Sequence, residues 1–228
     1  AQKNYAGADS LGNALPMQKK NVFIIILESF SAEHIGALTH QKGNRNSDFT
    51  PFLDSLAEKS IVFHGFANGK RSIEGIPAVL ASLPTWMTED FITSQYSSDK
   101  INSLASLLKT EGYHTSFFHG GKNGTMGFDA FCRSAGFDAY YGKNEYPNQA
   151  DFDGHWGIWD EPYLQYIAQT LNSLPKPFMS AVFTLSSHHP YKVPEKYKNK
   201  FRKGPLEIQQ TIMYSDYALQ KFFETAST

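Results

Sequence analysis

The sequence predicts an α/β fold: a doubly wound, mostly parallel sheet with helices on both faces. Three observations support this. Val22-Phe23-Ile24-Ile25-Ile26-Leu27 is a run of six bulky hydrophobes, three of them isoleucine, as in a strand buried on both faces of a parallel sheet. Ser60 to Ala67 reads as another strand, leading through the Gly-containing basic turn Asn68-Gly69-Lys70-Arg71 into a helix that begins near Ser72. Further apolar strands alternate with helix-period segments along the chain, the order that builds a parallel sheet.

The remaining elements follow in order. Thr50 reads as a helix cap with Pro51 at the first helical position, a favoured start. Ile101, Leu104, Leu107 and Leu108 form the apolar stripe of a helix that stops at Gly112. Tyr113 to Phe118 is a strand that delivers His119 at its end. Asn144 to Gly154 is polar and reads as a loop, and Asp160 to Leu171 as a helix. Phe178 to Leu185 is a buried strand that delivers Ser186, Ser187 and His188. Ile208, Ile212, Leu219 and Phe222 lie at helical spacing in a last helix.

Four polar groups thus fall at strand ends: Glu28, the Asn68–Ser72 turn, His119 and His188. Open α/β sheets bind ligands beyond the carboxyl ends of their strands. Glu28 either marks the point where its strand reaches water or holds a cation or phosphate-handling group there. Ser72, at a helix N-terminus beside Lys70 and Arg71, is placed either as an ordinary N-cap or as a group facing an anion. His34, His64 and His114 read as structural or exposed.

Composition narrows the classes. At 228 residues, 41% hydrophobic, the chain can bury one sizeable core. A net charge of −1 offers no cationic excess for general nucleic-acid binding. The 18 Phe and 12 Tyr serve mainly as core. Cys132 is the one cysteine, which excludes an internal disulfide and a cysteine-rich zinc site. No run approaches the roughly 18 apolar residues of a membrane span, and no signal peptide is visible. Residues 1–20, polar and Gly/Ala-rich, read as a tether with Ala1 as a cut end.

Six segments, in order, resemble the alkaline phosphatase superfamily, in particular its sulfatase-like branch of lipoteichoic acid synthases and phosphoglycerol transferases. They are Ile25-Ile26-Leu27-Glu28-Ser29; Thr50-Pro51-Phe52-Leu53-Asp54; Asn68-Gly69-Lys70-Arg71-Ser72; Phe117-Phe118-His119-Gly120; Trp156-Gly157-Ile158-Trp159-Asp160; and Ser186-Ser187-His188-His189-Pro190-Tyr191. The resemblance implies a divalent metal (manganese, magnesium, zinc or calcium) on Glu28 and Ser72, with Ser72 also the nucleophile. His119 and His188 would act in the phosphate pocket, and Lys70, Arg71, His155, Trp156 and His189 would bind substrate. The reaction implied is two-step transfer from a lipid or glycan phosphodiester through a phospho-enzyme. The place implied is the outer face of a bacterial membrane, reached through helices upstream of residue 1.

Two departures bear on that reading. The family completes its metal site with a later Asp-His pair, and no Asp-His dipeptide occurs here. Residues 21–228 therefore read as the N-terminal portion of the catalytic domain, lacking the last metal-ligand strand. Thr125-Met126-Gly127-Phe128-Asp129 stands where lipoteichoic acid synthases carry a Trp and Arg that grip glycerol phosphate, which leaves the substrate open. Ser72-Ile73-Glu74-Gly75-Ile76 lacks the Pro and Arg that accompany formylglycine in sulfatases, so phosphoryl chemistry is favoured over sulfate hydrolysis. The alternatives are a sulfuric or phosphoric ester hydrolase and a catalytically silent glycan or lipid head-group binding domain.

Overall fold

The computed structural model describes residues 18–39, 49–67 and 69–226. Residues 1–17 of the expected tether and Asn68 of the basic turn lie outside the described residues. Four strands, β1 (Val22–Ile26), β2 (His114–His119), β3 (Ala139–Tyr141) and β4 (Phe178–Phe183), form one sheet in the order β1-β4-β2-β3. Every pairing is parallel, with Ile24 opposite Ala181 and Ala181 opposite Phe117. The helices are α1 (Pro51–Ala57), α2 (Ser72–Ala81), α3 (Leu104–Thr110), α4 (Phe128–Ser134), α5 (Asp160–Ser173) and α6 (Ile208–Ala226).

Strand alternation splits the core in two. All six residues of β4 are buried. Met179, Ala181 and Phe183 join Phe117 against Ile73, Ile76 and Leu80 of α2 and Phe131 of α4. Val182 and Phe178 point the other way, with Phe118, against Leu164 and Ile167 of α5 and Leu219 of α6. Helices therefore cover both faces, as the apolar strands require. Each such side chain contributes about 1.5–3 kcal/mol through burial, which ties the sheet to both helical layers.

Several elements differ from the sequence expectation. The Val22–Leu27 run packs on both helical layers, Ile24 and Ile26 on one and Phe23, Ile25 and Leu27 on the other, but at the edge of the described sheet. Among the described residues β1 pairs only with β4, and its residues are half-buried or exposed. Apolarity reports contact with other apolar groups but not which strand lies alongside. Ser60–Ala67 is not a strand: residues 61–67 carry no regular structure, and Ile61, Phe63 and Phe66 are 83%, 81% and 96% exposed. A strand exists through its neighbours' hydrogen bonds, and no described strand lies beside this segment.

The α3 stripe differs in part. Ile101, just before the helix, and Leu108 pack on the core as expected, while Leu104 and Leu107 are exposed and Ala105 is the fully buried residue of the face. Ser103 caps α3 by accepting from Ser106 N at 3.0 Å. Gly112 ends the turn after it with φ +82°, a left-handed value that suits glycine. Thr50 does not cap α1 with its side chain. Instead Asp216 reaches over from α6, and its carboxylate accepts from Phe52 N (2.9 Å) and Leu53 N (3.0 Å). Burial pushes the Asp216 carboxyl up to about 6.

Candidate active site

The carboxyl ends of β1, β4 and β2 meet the N-terminus of α2 around a cleft of about 280 Å³. Glu28, Lys70, Arg71, Ser72, His119 and His188 supply its polar lining, and Met126, Trp156, Phe183 and Leu185 much of its apolar wall. Glu28 leaves β1 into a tight turn, where Ser29 takes φ +58°. Its backbone is pinned at both ends: Glu28 N donates to Thr184 Oγ1 at 3.0 Å, and Ser187 Oγ donates to Glu28 O at 2.5 Å. The carboxylate is 6% exposed and takes hydrogen bonds from Ser29 Oγ (2.8 Å) and from Ser72 Oγ.

Ser72 is the first residue of α2 and not its cap, which removes the plain-cap alternative. The N-cap is Arg71. Glu74 closes this helix end, its Oε2 accepting from Lys70 N (2.8 Å) and Arg71 N (2.9 Å). These two bonds, led by that to Arg71, hold its carboxyl below the usual range. The Ser72 hydroxyl is thereby released to face Glu28. Arg71 lines the cleft while its Nη2 donates to Asp90 Oδ1 at 2.7 Å, which fixes the guanidinium at the cleft wall.

His119, the last residue of β2, is 1% exposed. Its ring stacks on Phe183 (centroids 5.7 Å apart) and meets the edge of Phe128 (5.0 Å). Burial brings its imidazole down to about 4, so it is neutral at neutral pH. Its Nδ1 lies 3.2 Å from the Tyr140 hydroxyl, and burial raises that phenol too. The tautomer in which Tyr140 donates to Nδ1 leaves the proton on Nε2. Gly121 makes room for this ring, since a Cβ there would sit 2.5 Å from His119 Cε1. Gly157 likewise permits close passage, because its Cβ would lie 2.6 Å from Gly120 O.

His188 sits beyond β4, its ring 4.2 Å from that of Trp156. Its Nδ1 lies 2.9 Å from His189 O, which also accepts from Trp156 Nε1 at 2.7 Å. The loop before it is clamped by Asp160, a buried carboxylate at the start of α5. Asp160 Oδ1 accepts from Leu185 N (2.9 Å) and Ser186 N (3.1 Å), and Oδ2 accepts from Ser215 Oγ (2.8 Å). Burial raises its carboxyl above the ordinary value.

Of the expected substrate-binding residues, Lys70, Arg71 and Trp156 line the cleft. His155 and His189 are exposed and stand outside its lining. His155 instead meets Lys192 Nζ at 3.1 Å, and His189 packs against Tyr191. Sequence reasoning assigned no role to Asp160, Tyr140 or Asp90, and placed Met126 only as a departure from a family motif. Asp160 was visible as the polar end of the Trp-Gly segment, but its partners lie 25 to 55 positions away.

Among the described residues no group of three or more His, Cys, Asp or Glu gathers as a metal cluster. Glu28 and Ser72 offer two oxygen donors, chemistry that suits a hard divalent cation. A serine held by a carboxylate at the carboxyl edge of a parallel sheet stands where α/β enzymes place ligand-handling groups.

The chain belongs to the Sulfatase family, whose sequence model matches residues 20–228. A lipoteichoic acid synthase-like protein of Bacillus subtilis is 27% identical over 240 residues, covering 98% of this chain and 37% of that protein. A crystal structure of an alkaline phosphatase superfamily protein from Vibrio parahaemolyticus superposes with a TM-score of 0.78 at 31% identity, over 98% of this chain and 52% of that one. A lipoteichoic acid synthase from Listeria monocytogenes shares the fold, with a TM-score of 0.77 at 20% identity over 92% of this chain and 52% of that one. The chain thus spans about a third of its curated relative and half of these solved structures.

Proposed function

We propose that this chain supplies the nucleophile half of a metal-dependent phosphoryl transferase that moves a phosphoglycerol-type group from a lipid or glycan phosphodiester at the outer face of a bacterial membrane. The observation that carries this is the hydrogen bond from Ser72 Oγ to the Glu28 carboxylate on the floor of a cleft that also holds His119 and His188. The lipoteichoic acid synthase-like relative of Bacillus subtilis supports the choice of substrate class.

Glu28 and Ser72 would hold the metal. When bound, a divalent cation neutralises charge on the phosphoryl oxygens and favours the alkoxide form of the serine. The chain's own groups do the rest. Glu28 orients the Ser72 hydroxyl and stands ready to accept its proton. Ser72 Oγ forms a bond to phosphorus as the ester bond to the lipid alcohol breaks. His188 gives the departing alkoxide its proton and takes one from the acceptor hydroxyl in the second step. That step breaks the Ser72–phosphorus bond, and the released Ser72 oxygen takes back the proton that Glu28 accepted. His119, neutral, donates from Nε2 to a phosphoryl oxygen without adding a charge to the wall.

The test is release of diacylglycerol from phosphatidylglycerol by the full-length protein at saturating manganese, with and without an added polyol acceptor. Acceptor-dependent turnover supports transfer. Turnover indifferent to acceptor makes the protein a hydrolase, and no turnover of any phosphodiester removes the proposal.

A further inference from the structure

The charge of this chain is unevenly placed. Lys192, Lys196, Lys198, Lys200, Arg202 and Lys203 are six of its 21 cations within twelve residues, against Glu195 as the one acid of that span. All six are exposed. Among the described residues Glu161 pairs with Lys196 at 3.0 Å and Glu195 with Lys198 at 3.0 Å. On the adjoining α6, Lys221 pairs with Glu224. A cationic excess remains on a protein whose net charge is −1.

The strip is also amphipathic. Lys200 Nζ lies 3.3 Å from the centre of the Tyr217 ring, with the Tyr197 and Phe201 rings at 5.2 and 5.6 Å. Its cations rest on an aromatic bed, and Leu206 just beyond is 52% exposed. The strip begins at the mouth of the cleft. Lys192 meets His155, and the next residue, Trp156, is part of the cleft's apolar wall.

We infer that residues 192–203 form a docking surface for an anionic lipid bilayer, with the cleft held at the level of the head groups. Exposed lysines over aromatic rings, next to an apolar cleft wall, match a surface that is negative outside and apolar beneath. The inference is separate from the proposed chemistry, because adsorption needs no turnover.

The experiment is co-sedimentation of the 228-residue chain with phosphatidylglycerol–phosphatidylcholine vesicles and with pure phosphatidylcholine vesicles, at low and high salt. We expect binding to the anionic vesicles alone, weakened by salt. Replacing Lys198, Lys200 and Lys203 by Gln should lower that binding by about a hundredfold, or roughly fivefold per lysine. Replacing Lys20, Lys100 and Lys176, three exposed lysines elsewhere, should change it little. Equal binding to both vesicle types, or equal loss in the two triple variants, overturns the inference. Retention of a soluble glycerol phosphate polymer without vesicle binding also overturns it, making the strip a polyanion track.

Discussion

Ser72 and Glu28 lie 44 positions apart, on different elements, and the hydroxyl of one donates directly to the carboxylate of the other. Glu74 holds the Lys70 and Arg71 amides of the turn that leads into α2, and the first helical residue turns its side chain to Glu28. Thr184 and Ser187 hold Glu28 by its backbone, which leaves both carboxylate oxygens for hydroxyls.

Two oxygen donors bind a divalent cation loosely, since catalytic sites use three or more protein ligands. Calorimetric titration of the chain with manganese is expected to show binding weaker than micromolar, reduced further by Glu28→Ala. Sub-micromolar binding that survives Glu28→Ala would place the metal elsewhere.

His188 is expected to contribute as a proton donor. His188→Gln should lower kcat by about 10²–10⁴-fold, while His155→Gln and His189→Gln, outside the cleft lining, should change it far less. Steady-state rates for the three variants decide this, and similar losses in all three would return His188 to the role of a loop brace.

Asp160 is expected to matter for stability through the loop that carries His188. Asp160→Ala leaves the buried Leu185 and Ser186 amides without an acceptor and should cost on the order of 3 kcal/mol. Asp160→Asn keeps an acceptor oxygen for both amides, and the Ser215 hydroxyl can turn to accept, so it should recover most of that loss. Urea unfolding of the two variants measures the difference; equal destabilisation would show that the charge, and not the acceptor geometry, holds the loop.

The buried His119 makes stability depend on pH. Its folded-state value of about 4 lies below the ordinary 6.5. As pH falls from 6.5 toward 4, the unfolded chain takes up a proton that the folded chain refuses, and stability drops. Asp216 acts oppositely, its raised carboxyl favouring the folded state at low pH and losing that contribution as pH rises through about 6. Comparison with His119→Gln cancels the Asp216 effect. Between pH 7 and 4.5 the parent should lose on the order of 2 kcal/mol more than the variant; parallel losses would mean that His119 titrates normally in the folded protein.

The sequence carried the central elements because their signals are local. Five apolar residues between Phe178 and Phe183 pack on both faces of the sheet, and the spacing of Ile208, Ile212, Leu219 and Phe222 sits on one side of α6. It misjudged Val22–Leu27 and Ser60–Ala67 for a shared reason: an apolar, β-branched run shows strand propensity, while neighbours decide whether it becomes a central strand, an edge or no strand at all. In the cleft, Glu28, Ser72, His119 and His188 were legible as polar groups at the ends of elements. Asp160, Tyr140 and Asp90 were not, since each acts through a side-chain hydrogen bond to a residue distant in sequence. His155 and His189 stand next to cleft residues in the chain, yet they turn outward while Trp156 and His188 line the cleft.

The central claim is that Ser72 becomes covalently bonded to phosphorus. Incubating the full-length protein that carries this chain with phosphatidylglycerol and manganese, quenching in acid and mapping peptides by mass spectrometry reads this directly. A glycerophosphoryl adduct on Ser72, absent from Ser72→Ala, is the predicted result. Diacylglycerol release that persists in Ser72→Ala, or an adduct on any other residue, would contradict it.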